Sequence, residues 1–184
     1  DPMPDPPGSA CHTVDPSLIL GDSCEGGSVC WKVVPETGDG ICYSLCTGGA
    51  GLPTCNNADD GFWVAPDTAL ALCLPMCTPL GEEECADGDT CIDLTPDGFV
   101  CFPSIGMPAG YGDPCNYANA CAFGLACLSA LWQPECQSGG CCAPHCDTDS
   151  MPDMCPEEGQ ECIPWYEEGL APAGYEHIGV CATP

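Results

Sequence analysis

The chain has 184 residues, of which 21 are cysteine, 23 are glycine and 21 are proline. Its 28 acidic residues are accompanied by one basic residue, Lys32, so the formal net charge is −27. Because contacts to phosphate groups need lysine and arginine, this charge argues against nucleic acid and anionic lipid as partners. No apolar run reaches the ~18–20 residues of a membrane span.

The cysteine content indicates the class of protein and its compartment. More than about 8–10% cysteine is typical of a secreted disulfide scaffold, and disulfides persist in oxidising compartments. Abundant glycine and proline favour turns over long helices. The sequence therefore predicts a small disulfide-rich protein with little helix, secreted to the cell exterior or held at the cell surface.

A cysteine pattern recurs along the chain after a Pro-rich N-terminal arm, residues 1–23, which carries an entry cysteine, Cys11. A typical copy has a cysteine, a short gap with glycine, a second cysteine, an apolar run, a turn, and a return to a third cysteine. A fourth cysteine follows in most copies. An apolar run, a turn and another apolar run are typical of a β-hairpin. The expected repeats are 24–54, 55–84, 85–120 including a linker, 121–154 and 155–184.

The second repeat is degenerate, because Gly61 stands where the other repeats have their second cysteine. A repeat of ~30–36 residues is smaller than the size at which a hydrophobic core usually suffices. The repeats therefore depend on their disulfides, each of which contributes about 2–4 kcal/mol to the free energy of unfolding. Because repeat proteins make their contacts mainly between neighbours, we expect an elongated tandem array of short β-hairpin repeats.

Two disulfide pairings fit the repeats. In the crossed pattern the first cysteine of a repeat bonds to the third, and each fourth cysteine bonds to the second cysteine of the next repeat. In the nested pattern the fourth cysteine of a repeat bonds to the first cysteine of the next repeat, and the second cysteine bonds to the third of its own repeat. This pattern leaves Cys73 unpaired. We favour the crossed pattern because cross-links that close longer loops stabilise more. The crossed pairs are Cys24–Cys42, Cys55–Cys73, Cys85–Cys101, Cys121–Cys142, Cys155–Cys181, Cys11–Cys30, Cys77–Cys91, Cys115–Cys127 and Cys146–Cys162, with Cys136–Cys141 outside the repeats and Cys46 unpaired.

The tryptophans follow the repeats, since each lies in the run after the second cysteine position. Because the tryptophans recur at the same position of the repeat, we expect them to pack in a small core and not to stack on a ligand. The tryptophans are Trp31, Trp63, Trp132 and Trp165.

No catalytic motif is present: the sequence lacks a phosphate loop, a zinc-protease helix motif and a nucleophile elbow. We therefore predict that the chain is not an enzyme, and a glycoside hydrolase with paired carboxylates is a distant alternative. The Cys141–Cys146 segment with His145 has the composition of a soft-metal site, but disulfides account for its cysteines. No cofactor is expected, with calcium as the one candidate ion. Its candidate ligands are Asp147, Asp149, Asp153, Asp87, Asp89 and Asp93.

The C-terminal block, GDPC…CAFGLAC…CCAPHCD…CPEEGQECIPWYEEGLAPAGYEHIGVC, resembles the cysteine-rich secreted proteins abundant in myxobacteria and related marine predatory bacteria. The resemblance covers residues 112–181, and the earlier repeats match only by spacing. It implies an exported bacterial protein and carries no site residues with it.

Two classes of function follow from these features. The first is an extracellular structural or assembly protein, such as a fibre, surface-layer or adhesive subunit. The second is a secreted module that binds calcium or a protein ligand. The expected partners are further copies of the chain or other extracellular proteins. An unpaired cysteine in a secreted protein suggests an intermolecular bridge or a free thiol.

Overall fold

The computed structural model describes residues 3–13, 21–48, 52–65, 70–81, 85–86, 88–150 and 155–184. The chain divides into two compact units, Asp1–Leu74 and Pro75–Pro184, so the division falls inside the second predicted repeat, 55–84. Within the described ranges, the only helix is a single 3-10 turn at Ala118–Ala120, and the strands pair antiparallel. The prediction of a disulfide-rich protein with little helix is therefore confirmed.

The first unit is built on one five-stranded sheet, in which the order is β1-β3-β5-β4 and β2 also pairs with β3. Strand β3 is long enough to take β2 along one edge and both β1 and β5 along the other. The N-terminal arm thus joins the sheet of the first repeat through β1. The strands are β1 (Ala10–His12), β2 (Ser28–Trp31), β3 (Asp39–Leu45), β4 (Asp60–Val64) and β5 (Ala71–Pro75).

The second unit contains a two-stranded sheet, β6-β7, and a four-stranded sheet in the order β10-β11-β9-β8. Three hairpins of neighbouring strands supply these sheets, and the pairing of β9 with β11 joins two of them. The strands are β6 (Asp89–Thr95), β7 (Gly98–Pro103), β8 (Leu125–Ser129), β9 (Gly140–Asp147), β10 (Glu161–Pro164) and β11 (Ile178–Ala182).

Ten pairs of cysteines are at disulfide bonding distance, and Cys46 is the free cysteine. Three bonds lie in the first unit and seven in the second. This is the crossed pattern. The pairs are Cys11–Cys30, Cys24–Cys42, Cys55–Cys73, Cys77–Cys91, Cys85–Cys101, Cys115–Cys127, Cys121–Cys142, Cys136–Cys141, Cys146–Cys162 and Cys155–Cys181.

The second and third cysteines of a repeat lie directly opposite each other on adjacent strands, yet they do not bond to each other. The third cysteine bonds instead to the first cysteine of its own repeat. The second cysteine bonds to a cysteine that precedes the repeat in the chain. The opposed pairs are Cys30 and Cys42, Cys91 and Cys101, Cys127 and Cys142, and Cys162 and Cys181.

The main core of the second unit departs from a purely nearest-neighbour arrangement. Phe99, from the third repeat, is fully buried and packs with Tyr175 and Ile178 from the fifth. The Tyr175 hydroxyl donates to the Cys77 carbonyl at 2.9 Å. Gly98 makes room for this contact, because a Cβ there would collide with the Tyr175 ring. Aromatic side chains too large for one small repeat are thus buried between two repeats that are not adjacent in sequence.

Candidate functional sites

A sulfur cluster surrounds the free cysteine. The Cys46 Sγ lies 2.8 Å from the Cys73 Sγ and 3.8 Å from the Cys55 Sγ, beside the bond that joins those two cysteines. The same grouping of a fourth cysteine with a first–third disulfide recurs in the other repeats, at Cys77, Cys115 and Cys146. Cys46 therefore lies where the fourth cysteine of a repeat lies, although Gly61 occupies the position of the cysteine that would bond to it.

The environment of Cys46 suppresses its reactivity. Desolvation, and then the negative charge of Asp60, raise the pKa of the half-buried thiol. The thiolate is the form of cysteine that attacks disulfides and binds metals. In the other four sulfur clusters every sulfur is engaged in a disulfide, so none of them offers a thiolate to a metal ion.

His145 lies in an aromatic cluster rather than a metal site. Its ring centroid is 5.2 Å from that of Phe99 and 5.1 Å from that of Trp165. Its Nδ1 is 3.2 Å from the Gly179 carbonyl, which selects the tautomer with the proton on Nδ1 because a carbonyl only accepts. Desolvation lowers the pKa of His145 to about 4, against the opposing effect of that carbonyl. The ring is therefore neutral at physiological pH.

The buried neutral state of His145 predicts a pH-dependent stability. Its pKa is lower in the folded chain, about 4, than in the unfolded chain, about 6.5. The unfolded state therefore binds more protons in this window, and stability is lost as the pH falls from about 6.5 towards 4. Between pH 7 and 4.5 we expect the parent chain to lose about 2 kcal/mol more unfolding free energy than His145→Asn.

Urea denaturation of both proteins at several pH values measures this difference. Asparagine keeps a donor for the Gly179 carbonyl but does not titrate, and the carboxylates titrate equally in both proteins. Parallel pH profiles for the parent and the variant would contradict the assignment.

Two of the aspartates predicted as calcium ligands, Asp93 and Asp147, accept hydrogen bonds from protein groups. The Trp165 Nε1–H donates to Asp93 Oδ2 at 2.8 Å. Asp147 accepts from the Asp149 amide and the Ser150 hydroxyl, each at 2.9 Å, and these bonds lower its pKa. Among the residues that the structure describes, the groups of three or more close ligand atoms consist of cysteines, so Asp89, Asp93, Asp147 and Asp149 do not form a calcium cage. Asp87 and Asp153 lie outside the described residues.

An acidic cavity of about 220 Å³ lies in the second unit, beside the Cys136–Cys141 disulfide. That bond is the one outside the repeat scheme, and it anchors the loop between β8 and β9 that forms one wall. Glu135, Glu157 and Glu158 line the cavity, and no basic residue does. The Gln160 amide, also in the lining, donates to the Tyr111 hydroxyl at 3.3 Å.

The side chain of Gln133 is the unusual feature of this cavity. Gln133 is 7% exposed, and its Nε2 is buried without a hydrogen-bond partner. Its backbone is fixed, since its amide bonds to the Ala130 carbonyl and its carbonyl accepts from the Cys136 amide. A buried donor without a partner costs about 1–3 kcal/mol. The fold therefore retains a donor that nothing in the described chain satisfies.

A second, apolar groove is also lined by a residue of this loop, Trp132. Leu128, Ile163, Trp165 and Val180 line it together with Trp132. Trp132 is 44% exposed and the adjacent Leu131 is 88% exposed. The prediction that every tryptophan packs in a core is wrong for Trp132, because its side chain lies partly exposed in this groove.

The other tryptophans do pack against aromatic neighbours. Trp31 and Trp63 meet edge to face at 6.3 Å, and Trp165 lies 5.9 Å from Phe99. Sequence reasoning missed Gln133 and its acidic surroundings. The one sequence signal for this site was the Cys136–Cys141 pair, which lies outside the repeat pattern. An additional disulfide of this kind indicates a loop that is held in place locally.

Comparisons with protein-family models, with curated proteins and with solved structures find no match for this chain. In the part of the chain that the structure describes, no helix is long and apolar enough to cross a membrane.

Proposed function

We propose that the chain is an exported structural or assembly protein of the cell exterior, built as a tandem array of disulfide-linked β-hairpin repeats. The observation that carries the proposal is the crossed pairing, which bonds Cys77, Cys115 and Cys146 each to the second cysteine of the following repeat. Bonds of this kind tie successive repeats covalently. An array so linked resists unfolding and proteolysis outside the cell, where disulfides persist.

Composition and sequence likeness support the location. The chain carries a net charge of −27, which keeps an exported protein soluble until it assembles. The resemblance of residues 112–181 to secreted myxobacterial proteins points the same way. A bacterial exterior is accordingly the proposed place of action, with further copies or other surface proteins as partners.

Negative-stain electron microscopy of native material tests the assembly role. We expect periodic polymers, and we expect them to persist in a Cys46→Ser variant because the Cys46 thiol is half-buried with a raised pKa. Monodisperse monomers at high protein concentration would overturn the proposal. Polymers that vanish in Cys46→Ser would also overturn it, since oxidation of the free thiol would then explain them.

The second candidate function, a secreted binding module, is favoured by the acidic cavity, which is lined by three glutamates and no basic residue. The described aspartates form no calcium cage, so a protein ligand is the better candidate. This function does not exclude the first, because a surface protein can both assemble and bind.

A further inference from the structure

The thiol of Cys46 lies in contact with a disulfide to which it does not belong. Its Sγ is 2.8 Å from the Cys73 Sγ and 3.8 Å from the Cys55 Sγ, and those two sulfurs are bonded to each other. A thiolate that reaches a disulfide sulfur displaces the other sulfur and takes its place. The first unit therefore holds both reactants of a thiol–disulfide exchange side by side.

Strand pairing keeps two of these sulfurs together. In the pairing of β3 with β5, Ser44 lies opposite Cys73. The amide of Cys46 extends this pairing, since it donates to the Ala71 carbonyl at 2.9 Å. Cys46 and Cys73 are thus diagonal neighbours on one face of two adjacent strands. Groups held together in this way react without the cost of bringing two molecules into contact.

The same arrangement is blocked in the repeats that follow. Cys77, Cys115 and Cys146 also lie beside a disulfide between a first and a third cysteine, but each is itself bonded to a second cysteine. Cys46 lacks such a bond because Gly61 occupies the position of its partner. The degenerate repeat therefore leaves a nucleophile next to a bond that it can attack.

The distances indicate which sulfur is attacked and which one leaves. Cys46 is nearer to Cys73 than to Cys55, so Cys73 is the sulfur attacked and Cys55 is the leaving group. Cys73 is 4% exposed, whereas Cys55 is half-buried in a segment, residues 54–59, that is otherwise exposed. Exchange therefore brings the free thiol to a more accessible part of the chain.

Two features of the resting arrangement slow the exchange. The distances place Cys46 Sγ beside the bond, so its side chain must turn between rotamers to attack in line with that bond. Desolvation and the negative charge of Asp60 raise the pKa of the Cys46 thiol, and the thiolate is the attacking form. The exchange therefore waits for a thiolate, which forms more readily in alkaline solution.

We propose that Cys46, Cys55 and Cys73 form an internal disulfide switch. The Cys46 thiolate attacks Cys73 Sγ, a Cys46–Cys73 bond forms, the Cys55–Cys73 bond breaks, and Cys55 leaves as a thiolate that takes up a proton. One bond replaces another, so the step consumes neither an oxidant nor a reductant. The thiol that meets an external reagent is then Cys55. The inference goes beyond the proposed assembly function and does not depend on polymer formation.

Alkylation of the native chain with iodoacetamide, at about pH 8.5 near the ordinary pKa of a cysteine thiol, traps the free thiol where it lies. Acid then stops the exchange, and digestion with pepsin without reduction allows the bonds to be mapped by mass spectrometry. We expect chains that carry the label on Cys55 together with a Cys46–Cys73 bond. Label confined to Cys46 with Cys55–Cys73 intact would overturn the switch, and so would label on Cys73 or on a cysteine of another repeat.

Two variants test the same step independently of the label. In Cys55→Ser, Cys46 and Cys73 should bond to each other in a glutathione redox buffer, so that no thiol titrates. That bond joins residues 27 apart instead of 18, so the melting temperature should stay close to that of the parent. Cys46→Ser is the matched control, and its native chain should take up no label. Two titratable thiols in Cys55→Ser, or label on Cys55 in Cys46→Ser, would contradict the proposal.

Discussion

Replacing Gly61 with cysteine is expected to close an eleventh disulfide, between Cys46 and the new side chain, and to raise the free energy of unfolding by about 3 kcal/mol. In the other repeats the second cysteine lies opposite the third and bonds to a cysteine from before the repeat. Gly61 is buried in β4, which pairs with the strand that carries Cys73. Cys46 already lies 2.8 Å from that cysteine's sulfur.

Thiol titration under denaturing, non-reducing conditions, together with urea denaturation, measures the effect of Gly61→Cys. The parent should titrate one thiol per chain and the variant none. Gly61→Ser is the matched control, because it adds a side chain of similar size that cannot bond, and it should titrate one thiol without the gain in stability. Two free thiols in Gly61→Cys would show that β4 does not hold position 61 in the register of the other repeats.

Phe99→Ala is expected to destabilise the second unit by about 3–5 kcal/mol, the usual cost of removing a buried aromatic side chain. Phe99 is 0% exposed, and its ring lies within 5.2–6.4 Å of the rings of His145, Trp165, Tyr166 and Tyr175. Neither of the two repeats that share this cluster has another fully buried aromatic ring to replace it.

Thermal and urea denaturation of Phe99→Ala, with Phe102→Ala as control, test this role. Phe102 lies three residues along the same strand but is only half-buried, so its truncation should cost clearly less. Equal losses for the two variants would mean that the disulfides, and not the aromatic cluster, hold the third and fifth repeats together.

The sequence was informative where structure is local. A hairpin places its second and third cysteines at a fixed register, so regular spacing was enough to predict hairpins and to narrow the cysteine pairing to two patterns. Loop-closure arguments then favoured the pattern that contains Cys24–Cys42 and leaves Cys46 free, which is the one found.

The packing between distant segments could not be predicted from the cysteine spacing. The contact of Phe99 with Tyr175 depends on which faces of two distant hairpins meet, and no spacing encodes that choice. Trp132 shares the repeat position of Trp165 but lies partly exposed on the loop between β8 and β9. The acidic cavity was hidden for the same reason, since Gln133, Glu157 and Tyr111 come from separate segments that only the folded chain brings together.

The opposed but unbonded cysteines have a consequence for biosynthesis. Cys30 and Cys42, like Cys91 and Cys101, face each other across a hairpin as soon as it forms. Directly opposed Cβ atoms are about 4.5–5.5 Å apart, close to the span of a disulfide. During oxidation of the newly made chain, we therefore expect incorrect bonds between these opposed cysteines to compete with the correct ones. We expect maturation to include reshuffling of such bonds, over seconds to hours depending on the oxidant and isomerase, so that the supply of oxidoreductase where the chain folds would affect its yield.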